Sequence, residues 1–198
     1  MEKQTYHHGA LRSALLEAAR EAIDHAGSEA VSLRGLAEQL GVSRAAPYRH
    51  FADREALLAT VAAGGFETHC AAYIALLDEV IDGRERLRRT TRFYLDFATA
   101  HPGLHRLMFE SDFLARDMPP AVLIPPANRA YQLLTDIVRR AFPREPEDLT
   151  LARTITTMST TIGFLTLRGA GRFKPFMRGG LSDAQIEAAV IAAVADRA

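Results

Sequence analysis

The amino-acid sequence predicts an all-α fold of about nine helices. Apolar residues recur at intervals of three and four along most of the chain, as on the buried face of an amphipathic helix. No segment shows the alternating pattern of a half-buried strand. Glycines, prolines and residues that favour helix N-termini divide the chain at intervals typical of helix length, which supports the same fold class.

The first four helices are predicted from an apolar stripe and three capping residues. Leu11, Leu15 and Ile23 lie on one face of the first helix, which Gly27 ends. Ser32 is a suitable N-cap for the second helix, and Gly41 ends that helix. Ser43 and Asp53 are the corresponding caps of the third and fourth. The predicted helices are 11–26, 33–40, 44–50 and 54–81.

The remaining helices follow a break at Asp82-Gly83, where a domain joint is plausible. Pro102-Gly103 separates two of them, and the proline pairs 119–120 and 125–126 indicate a looser region. Ser182 is a suitable N-cap for the last helix. The predicted helices are 84–100, 104–110, 128–142, 146–168 and 182–196.

The composition excludes several classes of protein. The 24 basic and 24 acidic residues cancel, so any charge-based function must come from local clustering. The single cysteine, Cys70, excludes an intramolecular disulfide framework and fits a reducing compartment. No targeting segment or membrane span is visible, so we expect a cytoplasmic protein without a membrane partner. His101 and His105 have a spacing that suits a metal, but Pro102-Gly103 lies between them, so no metal site is expected.

The most informative segment is a predicted helix-turn-helix. Helices 33–40 and 44–50 are joined by Gly41-Val42-Ser43, a turn short enough to let two helices cross steeply. In such a unit the second helix enters the major groove of DNA and its N-terminal residues reach base edges. The segment 32–54 carries four arginines and two acidic residues, which makes the expected positive patch local and modest.

The residue types in this segment suit contacts with DNA. Arg44 can bind guanine through two hydrogen bonds, and the methyl groups of Ala45 and Ala46 can pack against thymine. Tyr48 and His50 can donate to phosphates, and helix N-termini capped by serine can bind phosphate through their free N–H groups. The candidate DNA-binding residues are Ser32, Arg34, Ser43, Arg44, Ala45, Ala46, Tyr48, Arg49, His50 and Arg54.

The stretch 41–58 reads GVSRAAPYRHFADREALL and resembles the signature of the tetracycline-repressor-like (TetR) family of bacterial transcriptional regulators. The resemblance covers about residues 10–60 and rests on Gly-Val-Ser, then Tyr-x-His-Phe, then a basic residue, Glu and Leu-Leu. Pro47 stands where the family more often has leucine, and Arg54 replaces a common lysine. Because Pro47 has no N–H, we expect helix 44–50 to be stiffened or kinked.

The resemblance implies a DNA-binding domain, 1–54, and an effector-binding and dimerisation domain, 55–198, joined through helix 54–81. Helices 146–168 and 182–196 are rich in small residues and are expected to form the interface of a homodimer. The alternative is that both are ordinary core helices of one chain.

An effector pocket is expected between the helices of the second domain, and a mostly apolar ligand is favoured because no charged cradle is evident. Every candidate has an alternative role in core packing, since aromatic and methionine stripes at helical spacing usually pack the interior. The candidate ligand-binding residues are Phe93, Phe97, His105, Met108, Phe109, Phe113, Met158, Thr161, Ile162 and Phe164.

These observations predict a homodimeric transcriptional repressor that a small-molecule effector releases from a palindromic DNA operator. One alternative is a dimeric DNA-binding regulator without an effector. The other is a helical enzyme, for which no catalytic residues are assigned because no nucleophile elbow, P-loop or dinucleotide fingerprint is present. No cofactor is expected for the same reason.

Overall fold

The computed structural model describes residues 8–196. Within these residues the regular structure is helical, and no strand is present. Two short 3₁₀ turns, Ser28–Ala30 and Pro47–Arg49, accompany nine α-helices. The α-helices are α1 (His8–Ala26), α2 (Leu33–Gln39), α3 (Arg54–Asp78), α4 (Gly83–Ala100), α5 (Pro102–Phe109), α6 (Ile124–Ala141), α7 (Glu147–Gly169), α8 (Pro175–Arg178) and α9 (Asp183–Ala195). The predicted all-α class is confirmed.

The chain folds into two compact units. The first contains the described residues up to Phe66 together with His101–Ala127, and the second contains Glu67–Ala100 with the described residues from Asn128 onward. α5 and the connection that follows it therefore belong to the same unit as the helix-turn-helix. The functional division 1–54 and 55–198 stays a prediction.

The first unit is built on α1, which packs against both α2 and α5. Leu15 and Ile23 of α1 are completely buried, and Leu36 and Phe51 are buried almost completely. The carboxylate of Asp24 accepts the backbone N–H of Leu104 at 2.9 Å, so a side chain of α1 satisfies an unpaired donor in the first turn of α5.

The second unit has its core where α4 packs against α7 and α9. An apolar cluster in this unit combines side chains from four helices and the loop after α6. The buried members are Tyr73, Leu87, Leu134, Ile137, Val138, Ala141, Phe142, Val194 and Ala195.

Two helices begin earlier than predicted because proline fits a first turn, and a third ends earlier. α6 begins at Ile124 instead of 128, with Pro125 and Pro126 in its first turn. The N–H groups of a first turn have no partner within the helix, so proline costs nothing there. Pro102 likewise lies at the start of α5, which begins at 102 instead of 104, whereas α4 ends at Ala100 as predicted. α3 ends at Asp78 instead of 81.

The segment 44–50 is not the α-helix that the sequence predicts. It contains only the 3₁₀ turn Pro47–Arg49. Pro47 has no N–H to give to the carbonyl of Ser43, and that carbonyl accepts from Ala46 N at 2.9 Å instead. In place of the expected stiffened or kinked α-helix, the hydrogen bonds of this segment form a 3₁₀ turn.

Candidate nucleic-acid interface

The first half of the helix-turn-helix is α2, whose ends are fixed by local hydrogen bonds. The Ser32 hydroxyl accepts the backbone N–H of Gly35 at 3.0 Å and so caps the helix as predicted. Leu33, Leu36 and Ala37 form its buried face. Gly41 has a φ of 66°, which L side chains rarely adopt, and this conformation turns the chain out of α2.

We call residues 44–50 the reading segment. Arg44, Ala45, Tyr48 and Arg49 are exposed, whereas Ala46 and His50 are half-buried and Pro47 is buried. Phe51 follows directly, is 3% exposed and anchors the end of the segment in the core. The side chains suited to base and phosphate contacts therefore occupy the outer face, and the inner face holds the segment on its scaffold.

The other candidate DNA-binding residues differ in what they can contact. Arg34 and Ser43 are exposed beside the reading segment, as is Ser32, whose hydroxyl is engaged as the cap of α2. Arg54 donates from Nε to the carbonyl of Val31 at 2.9 Å and from Nη2 to that of Ser28 at 2.6 Å. This half-buried guanidinium joins the start of α3 to the connection before α2, and its contact with DNA stays a prediction.

A groove of about 400 Å³ adjoins the reading segment within the first unit. Its walls come from α1, from the start of α3 and from the chain around 118–122. The guanidinium of Arg12 lies over the ring of Phe51 at 5.4 Å on one side. Arg116 joins Glu55 of α3 at 2.7 Å and also contacts Asp112. Local sequence patterns do not reveal this groove, because residues distant in sequence form it.

The candidate ligand-binding residues do not form one group in the structure. His105, Met108, Phe109 and Phe113 belong to the first unit, and the other six belong to the second. In the first unit Met108 is 2% exposed, and the ring of Phe109 lies 5.3 Å from that of Phe66. Their contacts are those of core residues in the described conformation.

The second unit contains an aromatic cluster around His69, which the sequence analysis missed. His69 is 2% exposed, and its ring lies 4.6 Å from Phe97 and 5.4 Å from Phe93. Tyr73 and Tyr94 complete the cluster at 5.7 and 5.6 Å. The i,i+4 spacing of His69 and Tyr73 on one helix, and of Phe93 and Phe97 on another, is the signal that could have revealed it.

The remaining ligand candidates of the second unit also pack internally. Met158 is partly buried against the apolar cluster. The hydroxyl of Thr161 donates to the carbonyl of Thr157 at 2.9 Å in its own helix. The ring of Phe164 stacks on that of Phe173 at 5.6 Å, and Ile162 is half-buried.

Two titratable side chains in or beside this cluster, Cys70 and Tyr73, are held in their neutral forms. Burial raises the pKa of the Cys70 thiol and that of the Tyr73 hydroxyl, so both stay protonated at neutral pH.

No group of three His, Cys, Asp or Glu residues among those described could hold a metal. His101 contacts Asp24 through Nδ1 at 3.0 Å, and His105 is buried. None of the described helices combines the length and apolarity needed to cross a bilayer.

An all-helical chain with an exposed reading segment after a capped α2 defines a helix-turn-helix DNA-binding protein. Comparison with known families supports this class. Residues 15–61 match the model described as "Bacterial regulatory proteins, tetR family". Residues 87–193, more than half of the chain, match "Tetracyclin repressor-like, C-terminal domain". The protein belongs to the TetR family of DNA-binding transcriptional regulators.

Solved structures share the fold of this chain. A protein of unknown function from Rhodococcus sp. RHA1 superposes with a TM-score of 0.79 at 31% identity, over 97% of this chain and 95% of that one. AibR, solved in complex with isovaleryl coenzyme A and operator DNA, shares the fold with a TM-score of 0.65 at 18% identity, over 93% of this chain and 97% of that one.

A curated relative covers less of the molecule. The nucleoid occlusion factor SlmA of Vibrio vulnificus (strain YJ016) is 34% identical over 110 residues, which are 52% of this chain. The chain spans 56% of the length of that relative, little more than half.

Proposed function

We propose that the protein is a homodimeric transcriptional repressor that leaves an approximately palindromic operator when a small molecule binds its second domain. The observation that carries this proposal is the outer face of the reading segment, where Arg44, Ala45, Tyr48 and Arg49 are all exposed. Pro47 and Phe51 hold the opposite face in the core, so these four side chains are free to enter a major groove.

Two observations support dimerisation: the modest charge of the reading segment and an exposed apolar face on α7. Arg44 and Arg49 are the only cations of the reading segment apart from His50, so one copy can make few phosphate contacts. Leu151 and Ile155 of α7 are 38% and 56% exposed, and they lie four residues apart on one helical face. Ala184 and Ala188 of α9 are also exposed, and small side chains permit close packing of four helices across a two-fold axis.

Replacing Ile155 by arginine is expected to weaken the dimer at least tenfold, because two like charges would meet near the two-fold axis without partners. Sedimentation velocity over a range of protein concentrations would measure this change. Val80→Arg is the matched control, since Val80 is fully exposed outside the proposed interface. A dimer unaffected by Ile155→Arg would place the interface elsewhere.

Replacing Arg44 by alanine is expected to cost about 1–3 kcal/mol of operator affinity and to relax the preference at one base pair, if Arg44 contacts guanine. Fluorescence anisotropy on duplexes that differ at single positions would show both effects. Arg106→Ala is the control, because Arg106 is exposed on α5 outside the reading segment. Equal affinity and equal preference in the Arg44 variant would remove this residue from base recognition.

Release by an effector requires that the ligand bind the DNA-incompetent state better than the DNA-bound state, since equal affinity shifts no equilibrium. A coupling of about 1–3 kcal/mol, roughly 5- to 150-fold in operator affinity, is typical. The test is to screen compounds for release of the protein from the DNA upstream of its own gene. If DNA is bound but no compound releases it, the effector-independent regulator is favoured.

A further inference from the structure

We propose that Pro47 determines which bases the reading segment recognises, by holding residues Pro47–Arg49 in a 3₁₀ turn without contacting DNA itself. This inference rests on the proposed DNA-binding function. It concerns a positioning residue, because Pro47 is buried beneath the side chains that face outward.

The hydrogen bonds of the reading segment show how Pro47 acts. Ala46 N donates to Ser43 O at 2.9 Å, Arg49 N to Ala46 O at 3.2 Å, and His50 N to Pro47 O at 2.9 Å. These three bonds span three residues, which is the 3₁₀ pattern, and only the bond from Phe51 N to Pro47 O at 3.0 Å, at the end of the segment, spans four. An α-helix would need an N–H at residue 47 to reach the carbonyl of Ser43, and proline has none.

This pattern changes the spacing of the outward side chains. A 3₁₀ helix rises about 2.0 Å per residue, whereas an α-helix rises about 1.5 Å. Over the three residues Pro47–Arg49 the difference amounts to roughly 1.5 Å. Base pairs are stacked about 3.4 Å apart, and hydrogen-bond lengths tolerate only a few tenths of an ångström.

The two arginines at the ends of the segment therefore cannot keep the same pair of base contacts in both forms. Arg44 lies before Pro47 and Arg49 lies after it, so a change of helix type moves one relative to the other. Phe51 anchors in the core the end of the segment that carries Tyr48 and Arg49. A change of helix type therefore shifts Arg44 relative to both of these side chains. An N–H at residue 47 would let the segment tighten into an α-helix and would change the bases that the protein selects.

The test uses Pro47→Ala and Pro47→Leu in the full chain, compared with the wild type. Both variants restore the N–H, and leucine also fills the buried space that proline occupies. Each protein selects duplexes from a library with a randomised operator, and the affinities for the selected duplexes are then measured. We expect both variants to choose a different base at one or more positions, with the ratio of affinities for the two duplexes changing by about 5- to 150-fold.

Phe51→Leu provides the matched control, because it alters packing under the same segment without adding an N–H. It should lower thermal stability and overall affinity while the selected bases stay the same. If the Pro47 variants select the wild-type sequence with uniformly weaker binding, Pro47 only packs the core and this inference is overturned. If the wild-type protein selects no sequence, the proposed function fails, and the inference that depends on it fails as well.

Discussion

Replacing Gly103 by alanine is expected to lower the free energy of unfolding by about 3 kcal/mol. A Cβ atom at Gly103 would lie 2.0 Å from the carbonyl oxygen of Ile23 and 2.8 Å from the Cα of Asp24. Both atoms belong to the backbone of α1, so no side chain can move aside. α5 would have to separate from α1, and the hydrogen bond from Leu104 N to the Asp24 carboxylate would be lost with it.

Urea denaturation would measure the effect, with Gly64→Ala as the matched control. Gly64 is also helical, but a Cβ there meets nothing within 4 Å. Alanine should therefore stabilise α3 at this position by about 0.5–1 kcal/mol through its higher helix propensity. Equal stability of the two variants would mean that α5 is not seated on α1 as closely as the structure describes.

Replacing Arg86 by methionine is expected to cost about 3 kcal/mol, because its buried guanidinium closes the C-terminal end of α3. Nε donates to the carbonyl of Leu76 at 2.8 Å, and Nη2 donates to that of Glu79 at 2.6 Å. Arg86 is only 5% exposed, and methionine preserves its bulk but not its donors. Hydrogen bonds from a charged donor contribute about 1.5–3 kcal/mol each, and carbonyls at the end of a helix lack partners within it.

Arg89→Met, one turn further along α4, distinguishes this role from simple charge removal. Arg89 is 49% exposed and pairs with Glu79 and Glu85 at the surface. Exposed ion pairs contribute about 0–1 kcal/mol, so this variant should be almost as stable as the wild type. Thermal unfolding of both variants would decide the matter, and similar losses in the two would contradict the capping role of Arg86.

The features that the sequence predicted correctly depend on neighbouring residues. Ser32 caps α2, and Ser182 forms a capping box with Gln185 at the start of α9. Both patterns span four residues, so the chain does not need its tertiary fold to specify them. The spacing of apolar residues likewise indicates which face of each helix is buried, and Leu15 and Ile23 are completely buried as their stripe predicts.

The features that the sequence did not predict involve distant residues or a choice between similar local structures. Arg54 donates to the carbonyls of Val31 and Ser28, which lie 23 and 26 positions earlier in the chain, and local spacing could not reveal these contacts. The cluster around His69 needs two helices to meet before it exists. The 3₁₀ turn Pro47–Arg49 is only three residues long, which is too short for the spacing of apolar residues to distinguish it from an α-helix.

The order of residues along the chain by itself determined the helical class, the helix-turn-helix and the family, since each follows from local spacing and from a continuous motif. Only the tertiary structure decided that α5 joins the unit of the helix-turn-helix, and that most candidate ligand residues pack in two cores. The physical reason is that burial depends on which surfaces meet. A helix can bury its apolar stripe against any of several partner helices, and close contacts such as that between Gly103 and Ile23 select one of them.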